Sequence, residues 1–362
     1  MKKLILSVGL ILSAIAFAVT PDKMPPLPDG AFTFAVIPDT QGYDGEGRHT
    51  KRGRAPGVGP TTNRQLDRIV DWLIANAEKE NIRFVAHTGD LTDMNNDPQW
   101  AFASNALARI DGKIPYAISP GNHDMESTGD TKMFKRYFPE SRFTANGWYV
   151  GSYDGNSGSC CLFESGKEKF VVVTLPCDAP DDAVAWADEQ LTKYADRHAI
   201  ISTHRDLGMK DEKNFRKFTL DAAAMKKEGR NFEKEYKPDT TLLGRMTWHK
   251  RYGKRGNSGV DLWQKLYSRH ANIFLVVSGD QGQVKVTRVD EKGVNGNMIH
   301  SIMQDTGRGL IRIFRFIPAE KRIACYTIDP GHGGAVVHDC WCWHDDALFN
   351  FDLPYPASVE AR

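Results

Sequence analysis

The stretch Arg83-Phe84-Val85-Ala86-His87-Thr88-Gly89-Asp90-Leu91-Thr92-Asp93 reads as a short apolar strand that delivers, with no linker, a glycine and an acid. The same grammar recurs on both sides of it. Phe32 to Pro38 is a buried strand ending at Asp39 and Gln41, and Pro115 to Ser119 runs into Gly121-Asn122-His123-Asp124. Further on, Ala199 to Thr203 delivers His204, and Ile273 to Ser278 delivers Gly279-Asp280. Lys169 to Leu175 is also strand-like. Apolar residues recur at helical spacing between strands, at Leu66, Ile69, Val70, Leu73, Ile74 and Ala77. Trp100 to Ile110, Asp181 to Tyr194 and Leu262 to Arg269 read as further helices. Strands alternating with helices predict an α/β fold, and ligand sites in such sheets gather at the carboxyl ends of strands. After Asp280 the runs Gln283–Val289, Met298–Gln304, Leu310–Phe316 and Arg322–Ile328 follow one another without helices, which predicts antiparallel pairing.

Composition narrows the class. The chain has 362 residues, 41% hydrophobic and 26% charged, so it can bury a sizeable core. Forty-seven basic residues against forty-six acidic ones leave no global field to draw it to nucleic acid. Thirty-two glycines and eighteen prolines argue against bundles and coiled coils. Lys2 and Lys3, the apolar run Leu4 to Phe17 and the site Ala16-Phe17-Ala18 describe a signal peptide over residues 1–18, cleaved after Ala18. The run is shorter than the roughly 20 residues of a membrane span. A secreted or periplasmic protein with no membrane span after cleavage is expected. Export makes Cys160, Cys161, Cys177, Cys325, Cys340 and Cys342 potential disulfide partners, in a pairing that sequence leaves open.

Asp39 with Gln41, Asp90, Asn122 with His123, His204 and Asp280 each follow a strand, and carboxylate, amide and imidazole groups hold divalent cations. Singly, each is an ordinary turn residue. Together they span about 240 positions and resemble a known series. Asp39-Thr40-Gln41, Gly89-Asp90-Leu91-Thr92-Asp93, Gly121-Asn122-His123-Asp124 and His204 look like the successive motifs of the calcineurin-like metallophosphoesterases, secreted bacterial members included. The resemblance implies a four-layer αββα sandwich of α/β (α+β) class, with extra C-terminal antiparallel strands. The resemblance runs from about Phe32 to Asp280; with the later strands the phosphoesterase domain is expected over 31–330, holding a basic insertion at 205–259, and a Cys/Trp-rich extension at 331–362 is expected to pack on it. The resemblance assigns Asp39 and Gln41 to a first metal, Asp90 to a bridge, and Asn122 with His204 to a second. Two such cations activate a water and clamp the phosphoryl oxygens. His123 is implied as the leaving-group acid and Asp93 as the residue that orients it.

One motif departs from the series. The family's closing G-H-x-H is Gly279-Asp280-Gln281-Gly282 here, so both histidines are absent. Asp280 can still bind a metal, while Gly282 cannot; Gln281 and Gln283 are the residues available to fill the gap. The donors are then oxygen-rich, which favours Mn²⁺, Mg²⁺ or Ca²⁺ over Zn²⁺, one or two ions per chain, with a weak first site. Two functions fit: a hydrolase of a small-molecule or polymeric phosphoester, or a secreted relative that keeps the scaffold for binding. The basic segment from Arg205 reads either as an anion-recruiting flap or as a solvated insertion. Neither it nor the glycine-rich Gly42–Pro60 loop shows the aromatic interleaving of a single-strand nucleic-acid platform, so no specific nucleic-acid partner is expected.

Overall fold

Among the described residues, two seven-stranded sheets form the centre of the molecule. The computed structural model describes residues 22–48, 57–208, 244–246, 256–280, 284–338 and 349–357. The first sheet holds β1 (Phe32–Ile37), β2 (Ile82–His87), β3 (Tyr116–Ile118), β11 (Ile311–Ile317), β12 (Arg322–Asp329), β13 (Ala335–Val336) and β14 (Phe351–Pro354). The second holds β4 (Tyr149–Tyr153), β5 (Gly158–Ser165), β6 (Glu168–Thr174), β7 (His198–Ser202), β8 (Ile273–Ser278), β9 (Val284–Lys292) and β10 (Met298–Asp305). Their spatial orders are β13-β12-β11-β1-β2-β3, with β14 also on β12, and β4-β5-β6-β7-β8-β10-β9. Neighbours β1, β2 and β3 run parallel, as do β6, β7, β8 and β10.

The sheets pack face to face through aromatic residues. Phe32 stacks on Phe316 at 4.8 Å and meets Phe170 edge-on at 5.5 Å, while Phe163 stacks on Phe170 at 4.6 Å. Alternation along β6 sends Phe170 and Val172 into this seam and Val171 and Val173 to the other face. There α4 (Asp181–Lys193) buries Ala183, Val184, Ala187 and Leu191, beside Leu262 of α5 (Gly259–Lys265). On the first sheet α1 (Arg64–Asn76) buries Leu66, Ile69, Val70 and Leu73, next to α2 (Asp97–Ala108) and the short α3 (Lys132–Tyr137). Asn63 and Asn96 cap the first two helices, accepting from the Leu66 and Gln99 amides. This is the four-layer sandwich the motifs imply.

Three features differ from the sequence reading. The strands β4 and β5 are present although Gly158, Ser159, Cys160 and Cys161 carry little strand signal; pairing with β6 makes them. β10 is antiparallel to β9, as expected, but slots between β9 and β8 and runs parallel to β8, with Met303 opposite Ser278. The late strands complete the core rather than append to it: β11 pairs with β1 throughout, Phe34 opposite Phe314. Cys160, Cys161, Cys177 and Cys325 are buried thiols with no disulfide, and burial pushes Cys160 and Cys325 up to about 12. Cys340 and Cys342, residues 1–18, most of the basic segment and residues 281–283 lie outside the described residues.

Candidate metal centre

Each sequence-predicted metal ligand follows its strand within four positions, and His123 and Asp93 follow within six, so the carboxyl ends of β1, β2, β3, β7 and β8 converge on one place. The ligating atoms of Asp39, Asp90 and His204 all lie within 4.8 Å of one another, and all three residues are buried. His204 Nδ1–H donates to the Thr88 carbonyl at 2.9 Å. That bond fixes the ring and leaves Nε2 facing Asn122 Oδ1 at 3.1 Å, Asp90 Oδ1 at 3.2 Å and Asp280 Oδ1 at 3.4 Å. Donors held roughly 2.1 Å from one divalent ion stand about 3 Å apart, so the 3.2 Å between His204 Nε2 and Asp90 Oδ1, with Asp39 beside them, is the spacing of donors on one ion. A carbonyl partner on the far ring nitrogen is the usual support of a metal-binding histidine. The residues fit one divalent cation.

Gln41 donates its amide to Asp90 Oδ2 at 3.0 Å, so it lines the centre from the first loop. His123 is half-exposed. Its backbone N–H donates to Asp90 Oδ1 at 2.8 Å, and its Nδ1–H donates to the Asp93 carbonyl at 2.8 Å, with the Asp93 carboxylate at 3.6 Å. Orientation of His123 therefore comes first from the Asp93 main chain and only second from its side chain, and Nε2 is left on the open side.

Local geometry explains why these loops hold. Asp124 is fully buried, and its carboxylate accepts from the amides of Leu91, Thr92 and Gly121 and from the Thr92 hydroxyl. It ties the loop that carries Asp90 to the loop that carries Asn122 and His123. Asp90 and Asp280 take left-handed backbones, φ 48° and 77°, which cost of order 1–3 kcal/mol and recur at functional sites. Gly121 and Gly279 give close approach: a Cβ on either would stand 2.2 Å from Asp90 Oδ1 or Asp39 Oδ1. His87 accepts the Gly89 amide on Nδ1 and so donates from Nε2 to Thr40 Oγ1. Burial, with His204 nearby, drops its pKa to about 3, so it is a neutral structural ring.

The centre calls for positive charge. Burial pulls His204 down, but Asp90, Asp39 and Asp280 outweigh it and hold the imidazole well above its ordinary value. Burial raises Asp39 strongly, and Asp305, at the end of β10, adds to that. Asp90 is raised by burial, yet His204 and His123 bring it below the usual carboxylate range. Asp280 is likewise held low against its own burial, chiefly by Arg205.

Arg205, Asp305 and Asp124 are the site residues that the sequence reading leaves unassigned. Arg205 falls with the basic segment it opens, although it adjoins His204. Asp305 ends a strand as Asp280 follows one, but the antiparallel expectation for β10 puts it at the wrong end of the sheet.

Comparison with known proteins gives the frame. A family model described as calcineurin-like phosphoesterase matches residues 32–244. An uncharacterized protein, YvnB of Bacillus subtilis (strain 168), is 23% identical over 343 residues, covering 91% of this chain and 22% of that protein's length. The structure of purple acid phosphatase PPD1 from yellow lupin (Lupinus luteus) seeds superposes with a TM-score of 0.50 at 12% identity, over 94% of this chain and 57% of that one, a likeness of fold. A 5'-nucleotidase precursor from Thermus thermophilus has a TM-score of 0.38 at 11% identity, over 91% of this chain and 55% of that chain. The family model covers well over half of the sequence, and the motifs it spans are those gathered around His204: the chain belongs to the calcineurin-like phosphoesterase family.

Proposed function

We propose that the chain is an exported, metal-dependent hydrolase of a phosphate ester. The observation that carries the reading is the convergence of Asp39, Asp90 and His204 to coordination spacing, with the His123 main-chain N–H donating to the same Asp90 carboxylate and its ring anchored on the Asp93 carbonyl. A divalent cation bound there supplies the Lewis acidity that polarises the phosphoryl group and makes water a competent nucleophile. The protein's own groups do the rest. Asp39, Asp90 and His204 hold the charge, with Gln41, Asn122 and Asp280 around them. His123, its Nδ1–H anchored on Asp93, protonates the leaving oxygen from Nε2 as the P–O bond breaks. An anchored ring of this kind contributes typically 10²–10⁴-fold.

Oxygen donors outnumber the single imidazole nitrogen, which supports Mn²⁺, Mg²⁺ or Ca²⁺ over Zn²⁺. Export rests on the lysine-led apolar run of residues 1–18, and among the described residues no helix is long and apolar enough to cross a membrane. A protein that only bound a ligand would have no use for the His123–Asp93 pair. The test is hydrolysis of p-nitrophenyl phosphate and bis-p-nitrophenyl phosphate with added Mn²⁺, Mg²⁺ or Ca²⁺ in turn. His123→Ala is expected to lower kcat at least 100-fold while leaving Mn²⁺ affinity within threefold. An unchanged kcat removes His123 as the acid, and no turnover of either ester with any of the three ions refutes the reading.

A further inference from the structure

Arg205 follows His204 in the chain, and its guanidinium lies in the centre. Its Nε donates to Asp280 Oδ2 at 2.7 Å and its Nη2 to Asp280 Oδ1 at 2.8 Å, a two-point fork. Nη2 also reaches Asn122 Oδ1 at 3.1 Å, and Nη1 reaches Asp178 Oδ2 at 3.0 Å. The arginine side chain is 7% exposed and Asp178 fully buried.

By the family resemblance, the second cation takes Asn122, His204 and the first residue of the closing motif. In this chain two of those three belong to Arg205. A metal on Asp280 or Asn122 would share an oxygen that already sits 2.7–3.1 Å from a guanidinium nitrogen, and two cations on one oxygen repel. The replacement of histidine by Asp280 fits the same picture. A carboxylate matches the planar arginine fork with two oxygens, which an imidazole cannot do. The arginine at 205 and the acid at 280 therefore form one unit.

We infer that Arg205 is a built-in substitute for one of the two cations: the chain binds a single divalent ion through Asp39, Asp90 and His204, and the guanidinium holds the positive charge on the Asn122–Asp280 side. The inference rests on the metallohydrolase reading. Arg205 acts as a positioning residue, fixing Asn122 and Asp280 and supplying a charge that does not dissociate. It also moves the missing cation from the first position, where the sequence places the weakness, to the second.

The experiment is titration of the metal-free full-length protein with Mn²⁺, followed by calorimetry and by electron paramagnetic resonance. One equivalent with the six-line signal of an isolated ion is expected. Arg205→Gln releases Asn122 and Asp280 and is expected to admit a second equivalent with an exchange-coupled signal; Arg205→Lys, which keeps the charge, is expected to stay at one. Two coupled ions in the unmodified protein overturn the inference and leave the hydrolase reading standing. The inference also fails if folded Arg205→Gln still takes one ion. Should the glutamine variant not fold, the unmodified protein's spectrum decides alone. No Mn²⁺ binding at all overturns both.

Discussion

Asp124→Asn tests whether the centre is held by the staple between its loops. The carboxylate accepts four hydrogen bonds: Oδ2 takes the amides of Leu91 at 3.0 Å and Gly121 at 2.9 Å, and Oδ1 takes the Thr92 amide at 2.8 Å and its hydroxyl at 2.9 Å. Asparagine has one oxygen. In its better orientation that oxygen keeps Leu91 and Gly121, the hydroxyl turns to accept from the new NH2, and the Thr92 amide faces a donor. One buried N–H without an acceptor costs about 1–3 kcal/mol, and two charge-assisted bonds becoming neutral cost about 0.5–1 kcal/mol each. The sum is about 2–5 kcal/mol. Urea unfolding at pH 7, with the slope m unchanged, reads it directly. Asp90 and His123 ride on the two stapled loops, so Mn²⁺ affinity and hydrolysis fall with stability. Asp29→Asn at an exposed position is the control and stays within about 0.5 kcal/mol. A loss below that threshold for Asp124→Asn refutes the staple.

His87 is neutral when folded, with a pKa near 3 against an ordinary 6.5. Between those values the unfolded chain binds the extra proton, so this residue makes stability rise with pH and fall as acid is added. From pH 7 to pH 5 it removes about 2 kcal/mol, a loss that urea midpoints should show in the unmodified protein and not in His87→Gln. Gly279→Ala puts a methyl 2.2 Å from Asp39 Oδ1, and Mn²⁺ titration should show affinity reduced at least tenfold with the circular dichroism of the fold retained; unaltered affinity means that Asp39 does not hold the ion. Chelation of Mn²⁺ present at about 100 times its dissociation constant should lower stability by about 2.7 kcal/mol, and an unchanged melting temperature argues against binding to the folded state.

The strand-end residues are legible in the sequence because they obey a local rule: an apolar strand stops and a polar residue follows at once. Asp39, Asp90, Asn122, His204 and Asp280 all meet it, and the fold brings them together. Partnership is not legible. Nothing in sequence distinguishes an arginine that opens a basic segment from one folded back onto Asp280, because the choice depends on where β8 lies relative to β7. The same holds for β10. Its alternation marks a strand, but whether it pairs parallel or antiparallel is settled by the slot beside β8, and that slot decides which end of the sheet receives Asp305. Gly158 to Cys161 carry no strand signal of their own, and β5 exists because β6 offers it an edge with Phe170 to stack on Phe163.

The ion pair at Arg205 also constrains what else the centre could become. Asp178 and Asp280 flank one guanidinium in a buried setting, and taking away one partner of such a pair costs about 3–5 kcal/mol because the remaining charge stays out of water. A histidine at 280 would leave Arg205 with half of its fork filled; a neutral residue at 205 would leave two buried acids facing each other unless a metal arrived. Neither single replacement restores a histidine-rich centre without passing through a less stable protein. The tie to Asn122 extends the constraint to the loop after β3, and His204, hydrogen-bonded to Thr88 and facing the same Asp280, extends it to the loop after β2. Charge on the Asn122–Asp280 side is thus part of the folded structure, supplied by the chain itself, while charge on the Asp39–Asp90 side has to come from solution.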